Sequence, residues 1–293
     1  MKKILVIGSS NIDNTLSVDS FPNPGETIVA NDFNISLGGK GLNQAVAASK
    51  MGGDVTFLTC LGNDNYKDYI IGKLNKYNIK IKPIIKNSST GSAYIFVNKD
   101  AENEIVVHGG ANVLFSKEDI LENIDLIKET DYVLIQLEMP IDTVEYIIKI
   151  SKELKKTVIL NPAPYKNIDI NVLKNLDYIT PNEHELKSIL NNQSSYLDNA
   201  IALVNLGIKN VIVTLGNKGS LLVNKEKTIK IDSFKVSAID TTGAGDCYNG
   251  AFVSFISQGY QIEKALNLAS KASAISVTRK GAAISYPNLS DLK

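Results

Sequence analysis

The sequence predicts a three-layer α/β/α domain with a mainly parallel central sheet, and a small β-sheet lid standing off it. Two features of the pattern lead there. Short β-branched runs bounded by polar turns alternate with helix-like segments along most of the chain, and such alternation builds a parallel sheet covered by helices on both faces. Residues 14–36 and 90–109 break the rhythm, being β-rich without helical periodicity.

Ile4 to Ile7 opens the series of buried strands, followed by Val55 to Thr59, Tyr132 to Gln136, Thr157 to Leu160, Tyr178 to Thr180 and Val211 to Leu215. Each is a short apolar run closed by turn residues, the pattern of a strand covered on both faces. Helical spacing fills intervals at Gly41 to Met51, Asp64 to Tyr77, Ile141 to Leu154 and Asn182 to Leu190. In the second interrupting stretch Ile95 and Val97 alternate with Tyr94 and Phe96, so both faces of that strand are apolar. One face then has two destinations, the chain's own core or a second copy in a homodimer built through the lid. The core is expected over 1–13, 37–89 and 110–293, and the lid over 14–36 and 90–109.

A chain of 293 residues suits one large α/β unit with a small appendage. Its 31 basic and 31 acidic residues cancel, so no global field attracts nucleic acid or an anionic membrane, and any anion site must be local. Cys60 and Cys247 match no metal-ligand or redox spacing, which leaves buried free thiols in a reducing compartment. The first apolar run is too short for a signal peptide. No stretch reaches the roughly 20 apolar residues of a membrane span, so a cytoplasmic location is expected.

The strongest chemical signal is Asp240-Thr241-Thr242-Gly243-Ala244-Gly245-Asp246, running into an apolar helix. Small residues before a helix let several backbone N–H groups converge on one point, where the helix adds about half a positive charge. Such a point suits a phosphate whose negative charge grows during transfer. Asp246, in the first turn, is either a general base facing that point or a helix cap.

Gly38-Gly39-Lys40-Gly41-Leu42-Asn43-Gln44 opens an Ala-rich helix. Three glycines around a lysine admit close approach of a small polar ligand, although a tight turn has the same composition. It is not a P-loop, because the spacing and the Ser or Thr after the lysine are missing. Gly8-Ser9-Ser10-Asn11-Ile12-Asp13 follows the first strand, at the carboxyl end where open α/β sheets bind ligands. No G-x-G-x-x-G follows, which disfavours a dinucleotide-dependent dehydrogenase.

Together these segments resemble the ribokinase-like family of carbohydrate and nucleoside kinases over nearly the whole chain. Further matching stretches are Asn161-Pro162-Ala163-Pro164, Thr180-Pro181-Asn182-Glu183-His184-Glu185, Thr214-Leu215-Gly216-Asn217-Lys218-Gly219 and Thr278-Arg279-Lys280-Gly281-Ala282. The resemblance implies ATP-dependent phosphorylation of a sugar, with Asp246 as base and the Gly243, Ala244 and Gly245 amides holding the transferred group. It implies a sugar site of Asn11, Asp13, Gly39, Lys40, Gly41, Asn43, Glu138 and Asp246. The nucleotide would meet Asn182, Thr214, Gly216, Gly219, Gly245 and Ser270, with Glu185 organising Mg²⁺. Asp240, Thr242, Ser276, Arg279, Gly281 and Ser285 match positions that hold a monovalent cation, expected to be K⁺. At Ser270 the likeness is weakest, since relatives commonly carry Asn or His beside the adenine.

D-ribose, phosphorylated at its 5-hydroxyl, is the sugar this resemblance favours. 2-Deoxyribose, fructose, adenosine and pseudouridine are the alternatives, since their kinases share the architecture. A non-catalytic sugar-binding regulator would have lost the base or the anion-hole glycines, and this sequence keeps them all. His108 and His184 fall in no metal or triad pattern, and Cys247 is either an inert core thiol or one activated by the helix N-terminus.

Overall fold

The computed structural model describes residues 1–100 and 102–293, so residue 101 of the expected lid segment lies outside the described residues. The strands are β1 (Lys3–Ile7), β2 (Asn11–Ser17), β3 (Asp32–Gly38), β4 (Asp54–Gly62), β5 (Lys80–Lys86), β6 (Gly91–Val97), β7 (Asn103–His108), β8 (Tyr132–Ile135), β9 (Thr157–Leu160), β10 (Tyr178–Ile179), β11 (Asn210–Thr214), β12 (Ser220–Asn224) and β13 (Thr228–Ile231). The helices are α1 (Lys40–Lys50), α2 (Asn65–Leu74), α3 (Lys117–Glu122), α4 (Ile124–Lys128), α5 (Ile141–Glu153), α6 (Ile170–Leu173), α7 (Glu183–Leu190), α8 (Tyr196–Asn205), α9 (Ala244–Ser257) and α10 (Ile262–Ser276).

Among the described residues the main sheet has nine strands in the order β13-β12-β11-β10-β9-β8-β1-β4-β5. From β11 to β5 all pairs are parallel, while β11, β12 and β13 form an antiparallel edge. Alternation along β1 divides the core. Ile4 and Val6 face a layer that includes α1, α9 and α10, whereas Leu5 and Ile7 face a layer that includes α5 and α8. The edge strands β5, β12 and β13 go beyond the strands read from sequence. β5 carries Pro83 at the sheet edge, where a missing N–H breaks no ladder.

Residues expected to start helices cap them instead. Asp64 accepts a hydrogen bond from the Tyr66 N–H ahead of α2, and Asn182 and Glu185 form a reciprocal capping box at α7. Gly250 brings α9 against α1, because a Cβ there would lie 2.4 Å from the Gln44 carbonyl. That approach carries the two helix N-termini into one site.

The second sheet runs β3-β2-β6-β7. It begins at Asn11 and includes Gly38, so it reaches past the expected lid limits of residues 14 and 36. The reason is its register: Asn11 pairs with both Gly38 and Gly91, and the ladder closes at the hinge itself. Asn11 and Asp13 therefore stand on the second sheet, on the face shared with Ala93 and Val107. The opposite face carries Phe33, Ile35, Tyr94 and Val106, all exposed.

Candidate active site

Asp246 lies in the first turn of α9, 6% exposed. Its Oδ2 accepts from Asn43 Nδ2 at 3.0 Å and its Oδ1 from Gln44 Nε2 at 2.9 Å. It does not cap the helix: Gly243, at φ 70, holds the N-cap position, and no side chain caps that end. The carboxylate is thus held by two side chains of α1 and leaves the N-terminus of α9 without a side-chain cap. Of the three anion-hole amides, that of Ala244 donates to the Thr241 carbonyl at 3.2 Å.

Asp13, Lys40 and Glu138 share the electrostatic surroundings of Asp246, and Asn11 pairs with Gly38 at the start of the same segment. Glu138 Oε2 accepts from the Lys40 N–H at 2.9 Å and from the Ser9 hydroxyl, which fixes it at the start of α1. Gly39 takes φ 88 there, and a Cβ on Gly41 would lie 2.6 Å from the Gly8 carbonyl carbon. Asp13 sits against Gly38, whose missing side chain makes room for the carboxyl. Burial pushes the Asp13 carboxyl up to about 7, with the charges of Glu138 and Asp246 adding to it. The charge of Asp246 raises Lys40, outweighing its burial, with Glu138 and Glu185 assisting. Lys40 is therefore a cation set among Asp246, Glu138 and Glu185.

A cleft of about 630 Å³ adjoins this group. Asn182, Thr214, Gly216, Gly219, Gly245 and Ser270 all line it, while Glu185 does not. Sequence reading missed other walls, the loop of Ser233, Phe234, Lys235 and Val236, the α10 positions Ser273 and Ala274, and Val277 at the C-cap of α10. The loop carries no motif. On α10 the signal was present, because Ser270, Ser273, Ala274 and Val277 follow helical spacing on one face. Glu185 is part-buried, makes no salt bridge among the described residues, and accepts from the Asn182 N–H through Oε2. Burial raises its carboxyl, partly offset by that hydrogen bond.

No group of three or more His, Cys, Asp or Glu among the described residues is arranged to hold a metal ion. Magnesium carried by a nucleotide takes most of its ligands from phosphate and water, so one carboxylate such as Glu185 fits that demand. Beside the anion-hole loop, Asp240 accepts from the Thr242 N–H at 2.9 Å and the Gly281 N–H at 2.8 Å. These bonds hold its carboxyl below the usual range against the opposing effect of burial. Arg279 joins the group through its N–H to the Ser276 carbonyl and its guanidinium to the Ser285 carbonyl, at 3.1 and 3.5 Å. Each Asp240 oxygen accepts one of these bonds, and the loop carbonyls beside it are a donor type that suits potassium.

The remaining candidates are inert. Cys247 is buried, and burial pushes its thiol up to about 12, so the helix N-terminus does not activate it. Cys60 behaves alike. His184 is exposed, and the exposed His108 ring hydrogen-bonds the Ser89 hydroxyl. No helix of the described residues is long and apolar enough to cross a membrane.

A buried carboxylate between a polyhydroxyl-binding group and a glycine-rich helix N-terminus, beside a nucleotide-sized cleft, defines a sugar phosphotransferase. Residues 1–289 match the pfkB family carbohydrate kinases, and the chain belongs to that family. Within it the chain is 38% identical to a ribokinase of Staphylococcus aureus, over 99% of this chain and 98% of that protein. It is 37% identical to a deoxyribokinase of Salmonella typhimurium, over 98% and 96%. Among solved structures it resembles a ribokinase of Thermotoga maritima, with TM-score 0.94, 41% identity, and 100% and 98% coverage. An Arabidopsis thaliana ribokinase complexed with ribose and ATP gives TM-score 0.92 at 29% identity, with 99% and 97% coverage.

Proposed function

We propose that the chain transfers the γ-phosphoryl group of ATP to the 5-hydroxyl of D-ribose, giving ribose 5-phosphate and ADP. The observation that carries this reading is the Asp246 carboxylate, fixed by Asn43 and Gln44 between the sugar-binding group and the cleft. Phosphoryl transfer asks the protein for positioning, charge stabilisation and proton removal. Asn11, Asp13, Asn43 and Glu138 orient the sugar, and the buried, unpartnered Asn43 Oδ1 is an acceptor for a hydroxyl. Asp246 takes the proton of the reacting hydroxyl, and the Gly243 to Gly245 turn receives the transferred group. ATP supplies the phosphoryl group, with Mg²⁺ as counterion at its phosphates near Glu185. The second sheet acts as a lid that closes on the sugar and keeps water from competing as acceptor. A monovalent cation, K⁺, orders the Asp240 to Gly245 loop, two copies associate through the lid, and the protein works in the cytoplasm. 2-Deoxyribose is the second reading, favoured by the deoxyribokinase similarity. A panel of pentoses, hexoses and nucleosides with ATP and Mg²⁺ tests the function: ribose should give the highest kcat/KM, and a panel without turnover rejects it.

A further inference from the structure

Gln44 is fully buried, and all three hydrogen-bonding groups of its amide are committed. One N–H goes to Asp246 Oδ1 and the other to Asn161 Oδ1, both at 2.9 Å, while its oxygen accepts from Gln136 Nε2 at 2.7 Å. Asn161 is itself fixed, its Nδ2 donating to the Thr180 carbonyl. A flipped Gln44 amide would set its oxygen against the Asp246 carboxylate and its NH₂ against Gln136. Only one orientation satisfies every partner. The geometry points to Gln44 as the positioning residue of the catalytic base: it holds Asp246 in one rotamer, and Gln136 and Asn161 hold Gln44. This rests on the sugar-kinase reading above.

The arrangement has a visible cost. Gln136 Oε1 is buried and makes no hydrogen bond among the described residues. Gln44 carries no charge, so it orients Asp246 without competing with Lys40. The charged and titratable groups around Asp246 are Lys40 from α1, Asp13 from β2, Glu138 after β8, Glu185 from α7, and the neutral Cys247 and Tyr286.

The test compares the full-length enzyme with Gln44→Met, which keeps volume and loses the hydrogen bonds, and Gln44→Glu, which sets a second carboxylate against Asp246. Gln136→Met, one step further from Asp246, serves as the indirect variant. Without the Gln44 donor the Asp246 carboxylate is free to rotate, so kcat of Gln44→Met should fall by about tenfold or more while KM for ATP stays within about twofold. The fall in kcat should be larger in Gln44→Glu and smaller in Gln136→Met. A kcat equal to that of the wild type in variants with unchanged thermal unfolding, or a loss shared equally by kcat and ATP affinity, overturns the inference. If Gln44→Met does not fold, unchanged kcat in folded Gln44→Glu and Gln136→Met overturns it equally. Failure of the sugar-kinase reading looks different, since the unsubstituted enzyme would then phosphorylate nothing in the sugar panel.

Discussion

Asn112 donates its Nδ2 to Oδ1 of Asn11 at 2.8 Å, while its own Oδ1 accepts from the Ser10 N–H. Asn112 lies in the turn Gly110–Leu114 after β7, so a residue just beyond the second sheet fixes the amide of a residue at its start. With its oxygen bonded to Asn112, Asn11 would offer Nδ2, a donor, to a bound sugar. A donor aimed at a ring hydroxyl is left unpaired by an analogue that lacks it.

Ribose should therefore exceed 2-deoxyribose in kcat/KM by about tenfold or more. Asn112→Ala should erode that ratio without touching ATP, because Asn11 could then rotate. Equal constants for the two sugars would reject ribose as the preferred acceptor and leave the kinase assignment standing.

The raised Asp13 carboxyl makes stability depend on pH. In the folded chain it titrates near 7, against a reference of 3.8, so between those values the folded state holds a proton that the unfolded state has lost. Its stabilising contribution is full below about pH 4 and is lost as pH rises through about 7. Asp13→Asn should accordingly gain thermal stability relative to the wild type at pH 8 and not at pH 4. Its sugar KM should rise, since a carboxyl that accepts from a hydroxyl is gone. A stability difference that does not vary with pH would contradict the shifted titration.

What the sequence disclosed and what it hid follow one physical division. The Gly243 to Asp246 turn and the Gly38 to Asn43 segment were legible because their chemistry is local: glycines, a helix start and an acid within a few residues. Thr214, Gly216 and Gly219 came only through the family resemblance, and they line the cleft. Gln44, Gln136 and Asn112 were not assigned roles, since their meaning lies in hydrogen bonds to partners 202, 92 and 101 residues away. The lid boundary was misplaced at Asn14 because Asn11 to Asp13 reads equally well as a loop after β1 until its pairing with Gly38 and Gly91 is seen.

Asp240 ties Thr242 to Gly281 across the anion-hole loop, and a cation held by carbonyls there would order the same loop. Potassium should raise kcat over sodium or choline at matched ionic strength. Asp240→Asn should weaken that activation, because one of its two acceptors is lost. Identical rates in the three salts would remove the cation from the mechanism.

Phe33 and Tyr94 are 54% and 46% exposed on the lid face turned away from Asp13. Ile35 and Val106 share that face, which makes it an apolar surface of the kind that association covers. The wild type should sediment as a dimer, and Tyr94→Lys with Phe33→Asp should give monomers of unchanged fold. A monomeric wild type at micromolar concentration would end the dimer proposal.

Asp246→Asn separates chemistry from structure. Asp246 makes one hydrogen bond through each oxygen, to Asn43 and Gln44, and an amide has only one oxygen to offer. The new NH₂ would face one of the two donors. Asn43 can resolve that conflict, because its Oδ1 is buried and unpartnered and a flip of its amide would let it accept. Thermal stability should then change little, by about 1 kcal/mol or less. No rearrangement restores a proton acceptor, so kcat should fall by about 10² to 10⁴ while ribose and ATP still bind. Measuring turnover and ligand binding on the same folded variant distinguishes the outcomes, and near-normal kcat would pass the role of base to another carboxylate, with Asp13 next in line.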